Sequence, residues 1–275
     1  ASMNVRLPLS PQVFAILSGL IEEHTGLHYD LDERELLADR VSPRALEHGF
    51  ESLLDYYYFL RYDPSADAEF KLLVDTLVVN ETYFFRELAA LKVIVDVFVP
   101  SIIARGRRPR LWCAACATGE EPLTLAMLLD GAGLLDSVTL LASDISGRAL
   151  AHAKAGTYSR RSLRALPEGV VGRWLEPKGD AMQVARHIAR AVDWQRVNLA
   201  GDELADMGQF DVIICRNVLI YFRDPTIERV IARLRSSLLP EGHLLVGASE
   251  SLLRFDAGLV CEEQRGAFFY RKVGS

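Results

Sequence analysis

The chain has little cysteine, no long apolar run and no phosphate-binding signature, and each shortage excludes a class of protein. Four of its 275 residues are cysteines, too few for a disulfide-stapled secreted scaffold and in keeping with a reducing compartment. Cys113 and Cys116 form a C-x-x-C pair, but a tetrahedral zinc site needs a second pair or histidines at matching spacing. The pair also sits in an apolar, strand-like run, where buried reduced thiols are the simpler reading. No metal site is expected. No stretch is apolar for long enough to form a transmembrane helix, and none near the start has the form of a signal peptide. A soluble, cytoplasmic protein without membrane insertion is expected. Ala1-Ser2-Met3 reads as a remnant ahead of a native start and is set aside. Positive charge is scarce at the beginning of the chain: six basic residues stand against fourteen acidic ones through Asp75, a net of −8, while the remainder carries +2. This argues against a nucleic-acid-binding N-terminal half.

What is present falls into two regions. Hydrophobic residues make up 50% and charged residues 25% of the chain, ordinary values for a protein with a real core. Up to Val79 the periodicity is helical. Val13, Ile16, Leu17, Leu20 and Ile21 follow a Ser10-Pro11 start signal. A second helix near Asp32 puts Leu36, Leu37 and Val41 on one face, and Pro43 is expected to bend or split it. Two more helices start at Ser52 and Ala66. From Arg110 onward, apolar strands alternate with helices: 110–115, 139–144, 210–215 and 243–248 read as strands, and 118–129, 146–155 and 224–239 as helices. Continuously apolar strands in such alternation indicate a parallel sheet covered on both faces. The stretch around Trp174 to Val197 breaks the rhythm and reads as a small antiparallel insertion. The expected architecture is α/β, with a helical domain over 1–79 and a Rossmann-like domain over 80–275 that carries the insertion at about 174–197.

Ligands of open parallel sheets bind at the carboxyl ends of the strands, so the residues just after each strand matter most. After the first strand, Thr118-Gly119-Glu120-Glu121-Pro122 matches neither a dinucleotide nor a triphosphate loop. A carboxylate there suits a ligand with an ammonium group; equally, Glu120 and Glu121 could serve only the helix dipole. Asp144 ends the second strand, where a carboxylate can accept both hydroxyls of a ribose; the alternative is the N-cap of the next helix. Cys215-Arg216-Asn217-Val218-Leu219-Ile220-Tyr221-Phe222 gathers a cation, an amide and a phenol at a strand end. Asn80-Glu81-Thr82-Tyr83-Phe84-Phe85-Arg86 is either part of a site or an interdomain plug.

These segments, with Trp112–Pro122, Asp144-Ile145-Ser146 and Gly247-Ala248-Ser249-Glu250-Ser251, resemble in order the motif set of the CheR-type chemotaxis-receptor glutamate O-methyltransferases, over nearly the whole chain. The resemblance implies a class I S-adenosylmethionine methyltransferase that esterifies glutamate side chains on the cytoplasmic methylation helices of a chemoreceptor, leaving S-adenosylhomocysteine. It implies a donor site formed by Asn80, Thr82, Arg86, Glu120, Asp144, Asn198, Leu199, Cys215 and Arg216, with Glu120 taken over Glu121. Arg86 and Tyr221 would position the acceptor carboxylate or the reactive end of the donor. A glutamate is already ionised at neutral pH and needs no general base, so alignment and exclusion of water would carry the reaction. The acidic helical domain departs from the basic receptor-facing surface of the family, although Arg34, Arg40 and Arg44 could form a local stripe. The short turn at Pro177–Gly179 speaks against holding a receptor tail by strand addition. Two rival readings remain open: a methyltransferase with a small-molecule acceptor, and a non-enzymatic sensor of the donor or its product. The residues do not specify an oligomeric state.

Overall fold

A computed structural model describes residues 5–274; Ala1-Ser2-Met3, read above as a remnant, lies outside them. The chain divides into two compact units, one formed by residues up to Val79 together with Tyr221–Thr226, the other by Asn80–Ile220 and the chain from Ile227 onward.

The first unit is all helical. Helix α1 (Pro11–Thr25) starts where the Ser10 hydroxyl accepts the Val13 N–H at 3.2 Å, and ends at Gly26 in the left-handed region with φ 77°. A β-carbon at Gly26 would come within 2.9 Å of Thr226 and 3.0 Å of Phe222, so a side chain there would displace the 221–226 segment from this unit. Helices α2 (Arg34–Glu47), α3 (Leu53–Tyr62) and α4 (Ala66–Leu77) complete the bundle. Its core holds Leu17, Leu20, Ile21, Leu37, Val41, Leu53, Tyr56, Leu73 and Leu77. Ile16 and Leu36, expected on the inward faces, are exposed at 39% and 41%; each lies one residue, about 100° of rotation, from the buried stripe. Helix α2 also runs unbroken through Pro43. Leu37 and Val41 before the proline and Ala45 after it pack into the same core, which offsets the one backbone hydrogen bond the proline removes. The expected arginine stripe is largely committed internally. Arg44 holds the buried carboxylate of Glu69 at 2.6 Å, and Arg40 donates to the Tyr29 hydroxyl and the Leu77 carbonyl at 3.1 and 3.3 Å.

In the second unit, α5 (Leu88–Val93), a π turn (Ile94–Phe98) and α6 (Val99–Ala104) precede the sheet as one helical stretch that the sequence pattern did not reveal. The rest, in chain order, is β1 (Arg110–Cys113), α7 (Glu120–Gly131), β2 (Thr139–Asp144), α8 (Gly147–Ala155), β3 (Thr157–Tyr158), β4 (Leu175–Lys178), β5 (Ala181–Val184), α9 (Arg186–Arg190), β6 (Val192–Arg196), β7 (Phe210–Cys215), α10 (Asp224–Ser236), β8 (Leu238–Val246), β9 (Leu259–Gln264) and β10 (Ala267–Lys272). The main sheet has seven strands in the order β6-β2-β1-β7-β8-β10-β9. β6 to β8 are parallel, and β10 and β9 are antiparallel additions. Leu111, Cys113, Val212 and Ile214 are fully buried in the core cluster, as expected of strands covered on both faces.

The antiparallel insertion is a three-stranded sheet, β3-β5-β4, in which Gly179 (φ 60°) turns the chain between β4 and β5. Its limits differ from the expected 174–197. Thr157–Tyr158 joins it, whereas Val192–Arg196 pairs in parallel with β2 as the edge of the main sheet. Alternation of exposed and half-buried positions in β6 makes this parallel edge strand read like an antiparallel one. Among the described residues, no helix is long and apolar enough to cross a membrane.

Candidate functional site

The site is built where β1, β2, β6 and β7 end. Pairing of β1 with β2, and of β2 with β6, brings the loops after these strands together, and the Val197 N–H donates to the Asp144 carbonyl at 3.0 Å. The Asp144 carboxylate takes the Ala117 N–H on one oxygen and the Ser146 N–H on the other, each at 3.0 Å. It therefore locks the β1 loop to the β2 loop and also helps start α8, whose N-cap is Ser146. The N-cap is therefore Ser146 and not Asp144, which stands two residues too early and supports the cap from behind; ribose binding stays compatible, because a carboxylate has about four acceptor positions. Asn198 forms an Asx turn, its side-chain oxygen accepting the Ala200 N–H at 3.1 Å, and Leu199 beside it is buried.

Backbone strain concentrates here. Among the described residues, six that are not glycine have positive φ, and four of them (Phe85, Glu87, Ala117 and Asn217) lie in the 80–87 segment and the β1 and β7 loops. Such conformations persist only where surrounding contacts hold them. Gly119 is required by space as well as by its φ of 96°: a β-carbon would lie 2.7 Å from the Ala153 β-carbon and 2.9 Å from the Trp194 ring.

The two glutamates after Gly119 have different fates. Glu121 accepts from Arg216 Nε at 2.7 Å. The Arg216 side chain is only 2% exposed, and its other nitrogens donate to the Glu87 carbonyl at 2.9 Å and the Arg86 carbonyl at 3.1 Å. Arg216 thus ties the end of β7 to α7 and to the Asn80–Glu87 segment. Glu120 is fully buried and has no ion-pair partner among the described residues. Its oxygens accept from the Thr118 hydroxyl at 2.6 Å and the Ser162 hydroxyl at 3.4 Å. Burial pushes the Glu120 carboxyl above the ordinary glutamate range, only partly offset by these hydroxyls. A sheltered acid with no cation beside it is poised for a cationic ligand.

The 80–87 segment is pinned by contacts that sequence reasoning missed. The Phe84 N–H donates to the Ser162 carbonyl at 2.9 Å, the Phe85 N–H to the Thr124 hydroxyl at 3.1 Å, and Phe84 packs edge-on against Tyr158 at 4.7 Å. Arg86 donates to the Glu81 carbonyl at 3.1 Å, Asn80 is exposed and Thr82 is half-buried. Glu250, quoted in the sequence only as part of a motif, accepts the N–H groups of Asn217, Gly247 (2.9 Å) and Ile220 (3.2 Å), which fixes the β7 loop against the β8 loop. Cys113, Cys116 and Cys215 are buried, and burial pushes all three thiols far up. Nine of the expected site residues (Asn80, Thr82, Arg86, Glu120, Asp144, Asn198, Leu199, Cys215 and Arg216) belong to the larger unit. Tyr221 belongs by packing to the helical unit, where its carbonyl accepts the His28 N–H at 3.1 Å.

A mostly parallel seven-stranded sheet of this order, with an acidic residue at the end of β2 and a glycine turn after β1, defines a Rossmann-like domain, and the family it matches makes it an S-adenosylmethionine methyltransferase domain. Residues 80–265 match the family model of the CheR methyltransferase SAM-binding domain, and residues 12–78 match the CheR methyltransferase all-alpha domain. A chemotaxis protein methyltransferase from Vibrio parahaemolyticus is 35% identical over 256 residues, covering 90% of this chain and 91% of its own. One from Klebsiella aerogenes is 35% identical over 257 residues, covering 91% and 87%. The N-methyltransferase NodS from Bradyrhizobium japonicum, solved in complex with S-adenosyl-L-homocysteine, is 15% identical with a TM-score of 0.39, covering 72% of this chain and 92% of its own. The chain belongs to the CheR methyltransferase family, and S-adenosylmethionine is the cofactor of its larger unit.

The donor set fits that cofactor by its chemistry. A sheltered carboxylate without a cation (Glu120) suits an ammonium group, and a carboxylate at the end of β2 (Asp144) suits ribose hydroxyls.

Proposed function

We propose that the protein transfers the methyl group of S-adenosylmethionine to glutamate side chains on the cytoplasmic methylation helices of a chemoreceptor, giving γ-methyl esters, and that it works in the cytoplasm. The observation that carries the donor half of this reading is the contrast between the two adjacent glutamates: Glu121 is neutralised by Arg216, while Glu120 is more deeply buried and has no ion-pair partner among the described residues. The acceptor half rests on family membership.

The residues then divide by role. Glu120 holds the ammonium group, Asp144 the ribose, and Asn80, Thr82, Asn198, Leu199 and the Cys215 backbone complete the donor contacts. Arg216 positions rather than binds, since all three of its nitrogens are engaged by Glu121, Glu87 and Arg86. Arg86 orients the acceptor carboxylate, and Tyr221 is assigned to the reaction on the family resemblance alone. When bound, the donor supplies an electrophilic methyl on a sulfonium. An ionised glutamate can take that methyl without a base, so the protein's contribution is alignment and removal of water.

The test is to incubate the protein with methyl-labelled donor and a purified cytoplasmic receptor fragment, then treat the product with mild alkali. Label released as methanol supports glutamate esters. Alkali-stable label would refute them, transfer only to small molecules would favour that rival acceptor class, and donor binding without any transfer would favour a sensor.

A further inference from the structure

Four arginines surround the pinned 80–87 segment, and the structure separates them. Arg216 is neutralised by Glu121. Arg161 is paired with Glu81 at 3.1 Å. Arg86 and Arg164 make no ion pair among the described residues, yet both converge on one ring: the Arg164 guanidinium lies 4.2 Å, and that of Arg86 5.7 Å, from the centroid of Tyr83. This placement is built rather than incidental. The turn that carries Arg164 is fastened to the segment by the Ser162 carbonyl, which accepts the Phe84 N–H at 2.9 Å, and Ser162 also reaches Glu120. Stacking on Tyr83 holds both guanidinium groups near one place without neutralising either charge. An anion beside them would meet two positive charges that no carboxylate among the described residues pairs with. Arginine suits a carboxylate because its planar fork can donate two parallel hydrogen bonds.

We propose that Arg164, stacked on Tyr83 beside Arg86, is a specificity-determining residue that binds a second carboxylate of the acceptor segment, next to the glutamate that is methylated. This deepens the proposed function and rests on it: the acceptor would be a helix with paired acidic side chains, and isolated glutamates would be poor substrates. On a helix, residues four apart share a face, so the second carboxylate is placed four residues from the reacting one. The donor's own carboxylate is the other source of the same chemistry, and the test separates the two.

The probe is a purified soluble receptor fragment in two forms, with glutamate or glutamine four residues from a methylated glutamate. The enzyme is compared as wild type, Arg164→Ala and Arg164→Lys, with melting curves and S-adenosylhomocysteine titrations run on all three. For wild type, the change to glutamine should raise KM about fivefold. Arg164→Ala should raise KM for the glutamate form by a similar factor and abolish the discrimination, with kcat within about twofold. Arg164→Lys should restore part of the preference, and donor-product affinity should be unchanged in all. Undiminished discrimination in the alanine variant would overturn the proposal. So would weakened S-adenosylhomocysteine binding with an unchanged acceptor KM, which would assign Arg164 to the donor. Failure of wild type to methylate either form would instead bring down the acceptor reading on which the inference stands.

Discussion

Glu120→Gln should move ligand affinity and stability in opposite directions. The substitution keeps size and shape. The glutamine carbonyl can still accept from Thr118, which now donates at 2.6 Å, and the amide can face Ser162 with the hydroxyl acting as acceptor. The negative charge is lost. In a site this sheltered, a hydrogen bond from an ammonium to a carboxylate contributes about 1.5–3 kcal/mol, so S-adenosylhomocysteine should bind about 10- to 150-fold more weakly. The unliganded protein gains instead, because an unpaired buried charge has been removed. The pH dependence supplies an internal control. Burial raises the folded-state pKa of Glu120 above its unfolded value, so the folded state binds the proton more tightly. Its contribution to stability is full below the unfolded pKa and is lost as pH rises through the folded one. Wild type should therefore lose stability across that window more steeply than Glu120→Gln. Its affinity for the ligand should rise across the same window, with proton release visible as a buffer-dependent calorimetric enthalpy. Calorimetry and urea titrations from acid to neutral pH measure both. Equal ligand affinity in the two proteins, with both folded, would refute the assignment of Glu120 to the ammonium group.

Glu121→Ala leaves the Arg216 guanidinium, 2% exposed, without its partner at 2.7 Å; it should lower stability by about 2 kcal/mol, read as a reduced urea midpoint with an unchanged slope. Gly119→Ala drives a β-carbon to within 2.7 Å of Ala153 at a φ of 96° and should destabilise by about 3 kcal/mol, with a falling melting temperature as the check. Arg86→Ala removes one hydrogen bond to the Glu81 carbonyl and a 5.7 Å contact with the Tyr83 ring but, on the proposed role, an orienting charge; turnover should fall at least about tenfold while the melting temperature changes little. An unaltered rate in the folded variant would exclude that role.

Much of the fold was legible because it is written locally. Ser10-Pro11 and Ser52 announce helices, and the apolar runs of β1, β2 and β7 can be satisfied only by burial on both faces. The strands β6, β9 and β10 were not recognised as members of the main sheet, because exposed and half-buried residues, such as Glu262 and Glu263 in β9 and Phe268 in β10, interrupt their apolar signal. The helical stretch through Leu88–Ala104 was missed as well, since its apolar residues run too closely together to show a face. Among the site residues, Asp144, Gly119 and Arg216 could be singled out from their places after strands. Their partners could not be. Which of two neighbouring glutamates is neutralised depends on an arginine 95 residues away. The anchoring of the 80–87 segment depends on Ser162, Thr124 and the Tyr158 ring, and the meeting of Arg86 with Arg164 on Tyr83 depends on that anchoring. Residue type and spacing determined which chemistry the chain holds. Only tertiary structure decided which charges are cancelled and which are left for a ligand, because pairing between distant segments is a property of the packed fold and not of local sequence.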